Sequence, residues 1–370
     1  MDLIESYLAE RAAPGALIGV LEDGTRIRQA KPSTGRASME TIRADELMTR
    51  EFERLHAPVQ GLIVEGLTLL CGASKIGKSW LVLALCCAVA AGKPFLGRST
   101  ESGDVLYLAL EDSPRRLQTR LRTLGEKPDG RLTLATRAHA LDDGLLFDLE
   151  DWVGHAAQPR MIVIDTLQKI RGAAPSARVN AYADDYAVIG RLKAFADAHH
   201  LAVVLVHHLR KSADSEDPFD RISGTTGLMG AADTSILIAR GRNSSDATVS
   251  FTGRDVWGND FPIRMQGGRW QAVSPEALAR ETYESNPIVL TCRALLRGGG
   301  PVKISLQMFL DAGAREVGLP VAATKNELSR SLDALAPKLR EYDGILLVTG
   351  KRVGKERGLI LNRKGDSDDD

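Results

Sequence analysis

Long apolar runs, paired cysteines and an excess of either charge are all missing from this chain of 370 residues. No stretch approaches the ~18 consecutive apolar residues that a membrane-spanning helix needs. The opening, MDLIESYLAERAAPG, is acidic where a secretory signal is basic, and no long apolar core follows it. Four cysteines, Cys71, Cys86, Cys87 and Cys292, form no C-x-x-C pair and no zinc spacing, and three lie within or beside apolar runs. That pattern predicts buried free thiols in a reducing cytoplasm. Lys and Arg number 48 against 48 Asp and Glu, so the formal net charge is zero and no overall basic excess points to nucleic acid.

What is present is the make-up of a folded protein. Apolar residues at 44% and charged residues at 26% exclude disorder, collagen-like repeats and coiled-coil rods. At ~100–200 residues per domain the length holds two or three domains. Residues 1–60, with weak periodicity and a polar patch at Lys31–Ser38, read as a leader with short helices whose end packs on the next domain. From Gly66 short β-rich apolar runs alternate with helical stretches: GLTLLCG, GDVLYLAL, RLTLAT, RMIVID, LAVVLVHH, DTSILIAR and ATVSFTG. Strands buried on both faces read as continuous apolar runs, and crossover helices between them imply an α/β fold with a mostly parallel sheet. The last runs, from Asp233 to Trp270, are close together and hairpin-like, which predicts an antiparallel edge. The core is assigned to residues 61–280, followed by a small helical and hairpin module over 286–364 and an acidic tail over 365–370.

Chemistry concentrates in the core. Gly72-Ala73-Ser74-Lys75-Ile76-Gly77-Lys78-Ser79 matches G-x-x-x-x-G-K-[ST], after an apolar strand and before a helical run opening at Trp80. Backbone N–H groups of such a loop turn inward around phosphates, and the helix N-terminus adds a favourable dipole. Lys78 is expected to reach the β- and γ-phosphates of ATP, and the Ser79 hydroxyl to ligate Mg²⁺. Asp165 ends the strand RMIVID, where a carboxylate that orients Mg²⁺ belongs; an Asp that caps the next turn is the plain alternative. In GDVLYLALEDS, Glu111 and Asp112 lie at another strand's carboxyl end, the side on which ligands bind in open α/β sheets. Glu111, on what reads as the strand next to the phosphate-loop strand, is assigned as the base that polarises water, against a purely structural carboxylate, and Asp112 as the cap of the helix beginning Ser113-Pro114. In the AAA+ arrangement the catalytic Glu directly follows the metal-binding Asp, and here that position is Thr166. The strand LAVVLVHH ends in His207 and His208; a polar group beside Asp165 there can detect the γ-phosphate, with His208 the first choice over a structural role.

Taken in order, GLTLLCGASKIGKSWLVLALCCAVAAGKPFLG, LYLALEDSPRRLQTRL, MIVIDTL, VVLVHHLRK and SGTTGLMGAADTSILI resemble the RepA-type hexameric helicases. These are plasmid and phage replicative ATPases with a RecA-like core, related to the DnaB family. The resemblance runs from about Gly61 to Val273. It implies a homo-oligomeric ring with ATP between subunits, single-stranded DNA in the channel, replication-initiation proteins as partners, and an arginine acting in trans. Arg254 in ATVSFTGRDVWG is the carried-over arginine, ahead of Arg240 and Arg242, and a plain surface arginine is the alternative. It also implies channel-facing loops at about Lys169–Asp185 and Arg210–Gly227. The first has three basic and two acidic residues and the second three and four, neither the strongly positive groove that single strands favour.

Residues 286–364 read as three helices and a hairpin. Ile288–Leu296 and Ser305–Ala312 are the first two helices, and Thr324-Lys325-Asn326-Glu327 is a capping box that opens the third. Leu328, Leu332, Leu335 and Leu339 line one side of that helix, and Pro337 threatens a kink. Ile345–Thr349 and Gly358–Leu361 pair around a tip from Lys351 to Arg357 with four basic residues and one acidic. The module resembles a winged helix, which implies duplex or forked DNA as its ligand; a protein-interaction module with a solvated basic turn is the alternative. The neutral total is then uneven: +7 over 286–364, −4 over the last six residues and −3 over 1–285.

Overall fold

The computed structural model describes residues 17–20, 26–28, 41–128, 130–171, 181–209, 226–241, 244–354 and 356–363. Two compact units divide between Arg54 and Leu55. In the first, β1 (Leu17–Val20) pairs antiparallel with β2 (Arg26–Arg28), and one helical turn, α1 (Ala44–Leu47), follows. The end of the expected leader belongs to the second unit, where Ala57 and Val59 are buried.

The second unit opens with β3 (Gly66–Gly72), α2 (Lys78–Ala91), β4 (Asp104–Ala109), α3 (Pro114–Leu124) and β5 (Leu132–Ala135). Next come α4 (Leu145–His155), β6 (Pro159–Asp165), α5 (Leu167–Ile170), α6 (Ala181–His199), β7 (Ala202–His208) and α7 (Thr226–Ala231). Four strands close the core: β8 (Thr234–Arg240), β9 (Asp246–Gly253), β10 (Phe261–Gln266) and β11 (Arg269–Ala272). They form one nine-stranded sheet in the order β11-β10-β9-β8-β3-β7-β6-β4-β5. Side chains alternate between its faces, Val204 and Val206 packing with α2 on one, Val203 and Leu205 with α4 and α6 on the other. This two-sided burial is why the strands read as unbroken apolar runs. Helix α2 is apolar nearly all round because sheet and hairpin both cover it.

Two details differ from the expectation. Strand β8 runs parallel to β3, with Thr68 opposite Thr234, so the antiparallel edge begins only at β9. Its apolar run fits either direction, and the α7 crossover decides. The strand carrying Glu111 follows the phosphate-loop strand in sequence but not in the sheet, where β7 and β6 stand between β3 and β4.

Beyond β11, α8 (Pro275–Glu284) is tied back to the sheet by Arg264, which donates to Asp246 and to Glu281 at 2.7 Å. Then come α9 (Pro287–Leu295), β12 (Val302–Ser305), α10 (Leu306–Glu316), α11 (Lys325–Asp343), β13 (Ile345–Val353) and β14 (Glu356–Arg363). Thr324 caps the helix, accepting from the Glu327 amide at 3.1 Å, while the Glu327 carboxylate reaches back one residue further than a capping box does, accepting from Ala323 N–H at 2.9 Å. Leu328, Leu332 and Leu339 are buried with Phe309, Leu359 and Leu361, and α11 continues through Pro337. The short strand β12, unforeseen, adds to the hairpin in the order β12-β14-β13. All four cysteines are free and buried. Among the described residues no helix is long and apolar enough to cross a membrane.

Candidate active site

The carboxyl ends of β3, β7, β6 and β4 lie side by side along one edge of the sheet. Gly72 closes β3, Ala73, Ser74 and Lys75 form the exposed rim of the loop, and the buried Ile76 side chain leaves only backbone to the site. Gly77 has φ 104, a left-handed conformation that favours glycine, and a Cβ there would also crowd Met265 and Trp270. Lys78 and Ser79 begin α2. Buried Lys78 Nζ donates to Gly72 O at 2.7 Å, to Ala73 O at 2.9 Å and to His208 Nδ1 at 3.0 Å. An ammonium only donates, so Nδ1 accepts and the imidazole proton rests on Nε2. That nitrogen faces Glu111 Oε2 at 3.8 Å. Thr166 Oγ1 donates to the other Glu111 oxygen at 3.4 Å. Lys78, His208 and Glu111 thus stand in line, with Glu111 the accessible end.

Behind them Ser79 Oγ donates to Asp165 Oδ2 at 2.9 Å. Burial drives Lys78 down to about 8, against the pull of Asp165, Cys71 and Glu111. It also raises Asp165, although hydrogen bonds from Ser79 and Tyr107 hold that carboxyl down. Lys78 and Asp165 attract one another, but burial outweighs that attraction at both groups. Phosphate oxygens would supply a further counter-charge to Lys78 and a divalent cation one to Asp165, whose hard oxygens beside Ser79 suit Mg²⁺. The residues present fit both groups.

The remaining candidates lie apart. The Trp80 indole packs under Gly268 with the Arg120 guanidinium 5.4 Å above it, so only its backbone faces the loop. Arg254 is at the far end of the sheet from its own phosphate loop, because Gly253 lies opposite Thr234 at the start of β8. Its side chain, 59% exposed, donates to Asp233 Oδ1 at 3.2 Å. Arg240 instead braces its own loop, giving Nη1–H to Ile76 O at 3.2 Å. Arg242 and most of both channel loops fall outside the described residues. Asp112 is not a cap. Ser113 caps α3, accepting from Arg116 N–H at 3.3 Å, and Asp112 pairs with Arg116 and Arg120. Both types cap helices, and the arginines of the first two turns claimed the carboxylate.

Three contributors had no motif to reveal them. Trp270 Nε1 donates to Gly77 O at 3.1 Å, Arg240 holds Ile76, and Tyr107 donates to Asp165 Oδ2 at 3.1 Å. Tyr107 left a trace, as a phenol inside an otherwise apolar buried strand where its hydroxyl needs a partner, and Arg240 was named only as a weaker choice for the arginine acting in trans.

Residues 34–214 match the profile of a family described as AAA domain. Two curated relatives, both named DNA repair protein RadA, come from Mycobacterium tuberculosis strains CDC 1551 / Oshkosh and ATCC 25618 / H37Rv. Each is 26% identical over 204 residues, covering 53% of this chain and only 38% of the relative's length. A solved structure of an ATPase domain aligns with a TM-score of 0.48 at 12% identity, over 57% of this chain and 85% of its own. The family match covers both the phosphate loop and Asp165, and the sheet joins them in the order given above. The chain is similar to that family over just under half its length, and its mostly parallel sheet with the phosphate loop at the end of β3 is a RecA-like P-loop fold.

Proposed function

We propose that this protein is an ATP-hydrolysing, DNA-acting motor that works as a homo-oligomeric ring, a replicative helicase of the kind carried by phages, plasmids and mobile elements. The observation that carries it is the alignment of Lys78, His208 and Glu111 beside the Ser79–Asp165 pair. Mg²⁺, held by Ser79 with Asp165 behind it, would neutralise charge on the bound phosphates. Lys78 would exchange its contacts with Gly72, Ala73 and His208 for β- and γ-phosphate oxygens. Glu111, accessible and steadied by Thr166, would orient the attacking water, and His208 between them would register whether Lys78 is engaged. Arg254 faces away from its own phosphate loop, which fits an arginine that serves a neighbour's. Trp257, 95% exposed three residues on, is the type of anchor that subunit interfaces use. The DNA repair name of the RadA relatives agrees with DNA as partner.

The module from α9 to β14 has the helix, strand, helix, helix, hairpin order of a winged helix, and we assign it to duplex or forked DNA. The first test is Glu111→Gln beside Lys78→Ala. The glutamine variant is expected to bind ATP normally while hydrolysis falls by about 10²-fold or more, and the alanine variant to lose turnover. Unchanged hydrolysis in Glu111→Gln removes the base assignment. A second reading, a nucleotide-switched DNA-binding or helicase-loading ATPase, is favoured by the mixed charge of 169–185 and 210–227. Strand displacement measured beside single-strand-stimulated hydrolysis separates the two: stimulation without displacement selects the switch.

A further inference from the structure

We infer that Tyr107 is a positioning residue for the metal-side carboxylate, its buried hydroxyl fixing the orientation of Asp165; this rests on the assignment of Ser79 and Asp165 as the Mg²⁺ pair. Tyr107 and Val163 are opposite one another in the β4–β6 ladder. Side chains two residues apart on a strand share a face, so Asp165 projects on the same side as Tyr107, one step along. The tyrosine is fully buried, and its hydroxyl donates to Asp165 Oδ2 at 3.1 Å. The Ser79 hydroxyl donates to that same oxygen at 2.9 Å.

A carboxylate's terminal torsion is broad. Two donors on one oxygen, from β4 and from the first turn of α2, narrow it to a single orientation. Only the serine is exposed to change, because its oxygen is the atom offered to the cation. The tyrosine is locked in the core and keeps its hold through loading and release. A phenylalanine would fill the same space without a polar atom to satisfy, so packing alone does not call for the hydroxyl. Partners behind metal-side groups set their orientation, and losing one typically weakens metal binding.

The test is Tyr107→Phe in the full chain, with Mn²⁺ as the probe. Mn²⁺ binding is titrated by electron paramagnetic resonance in the presence of a non-hydrolysable ATP analogue. Binding of a fluorescent ATP analogue in EDTA reports the phosphate loop by itself. The half-saturating Mn²⁺ concentration is expected to rise about tenfold, while nucleotide affinity in EDTA stays that of the wild type. Tyr107→Met, which fills the space flexibly, is expected to give the same shift and serves should the phenylalanine variant fail to fold. Asp165→Asn is expected to weaken Mn²⁺ binding, and adding Tyr107→Phe to it to change nothing more. A Tyr107→Phe titration that overlays the wild type while Asp165→Asn shifts overturns the positioning role and leaves the metal pair standing. No shift in Asp165→Asn overturns the metal assignment, and this inference with it.

Discussion

Lys78 is the residue of the site whose charge burial opposes most directly. Its ammonium is buried among backbone carbonyls, and burial lowers it to about 8. A lysine so placed is charged at neutral pH and loses its proton as the pH climbs through that value. The neutral amine offers no charge to phosphate, so affinity for ATP is expected to fall as pH rises past about 8. Bound phosphates favour the ammonium and pull its proton affinity back up. Binding measured near that pH therefore takes up a proton, visible by calorimetry in buffers of different ionisation enthalpy. A dissociation constant flat from about pH 7 to about pH 9.5 would show that Lys78 does not titrate there. The eight residues of its loop were legible because their whole function is local: one run of chain shapes itself around phosphate. Tyr107, Arg240 and Trp270 were not legible, because each reaches Asp165 or the loop from a distant strand.

Between elements, the decisive polar group is Asp233, at the start of β8. Its buried carboxylate accepts from the Leu67 amide at 3.0 Å, from Lys193 of α6 at 2.6 Å and from Arg254 at 3.2 Å. Four segments thus meet there, at the opposite end of β3 from the phosphate loop. Removing the buried carboxylate leaves the Leu67 amide unpaired while Lys193 and Arg254 can turn to water, a loss of about 1–3 kcal/mol. Asp233→Ala is expected to destabilise the core by an amount in that range in urea unfolding, with Asp233→Asn milder because it can still accept from Leu67 N–H. A loss below about 1 kcal/mol for alanine would mean the cluster acts like an ordinary surface ion pair. Sequence exposes such junctions poorly. The run DTSILIAR announces a strand but not its direction, and the parallel pairing of β8 with β3 depends on the α7 crossover and on Asp233 reaching Leu67. Likewise β12 is four residues after a glycine run, too short to show period-two alternation, and only its pairing with β14 makes it a strand. Helix α11 was legible by contrast, since its cap and its leucines are all within the helix itself.

At the scale of the molecule, a chain with no net charge divides into −3 over residues 1–285, a C-terminal module of +7 over 286–364 and a tail of −4. That module's positive charge is not spread evenly over its candidate DNA-facing elements. Along α11, Lys325, Arg330, Lys338 and Arg340 are interleaved with Glu327, Asp333 and Glu341. At the hairpin tip Lys351, Arg352 and Arg357 are exposed on adjoining strands, Arg352 directly opposite Arg357, with Glu356 drawn towards Lys325. Attraction to a phosphate backbone therefore concentrates at the tip, and each phosphate that a cation neutralises on duplex DNA contributes about 0.9 to the dependence of log affinity on log salt. Replacing Lys351, Arg352 and Arg357 together by glutamine is expected to weaken duplex binding and flatten that slope by about 2–3. The DNA-free ATPase rate should be unchanged, because the tip is remote in sequence and fold from Lys78 and Glu111. Flattening of similar size for several unrelated duplex sequences would place the contact on phosphates rather than base edges. An unaltered slope would remove the hairpin from DNA binding and return the module to a role in protein contacts, with its basic tip merely solvated.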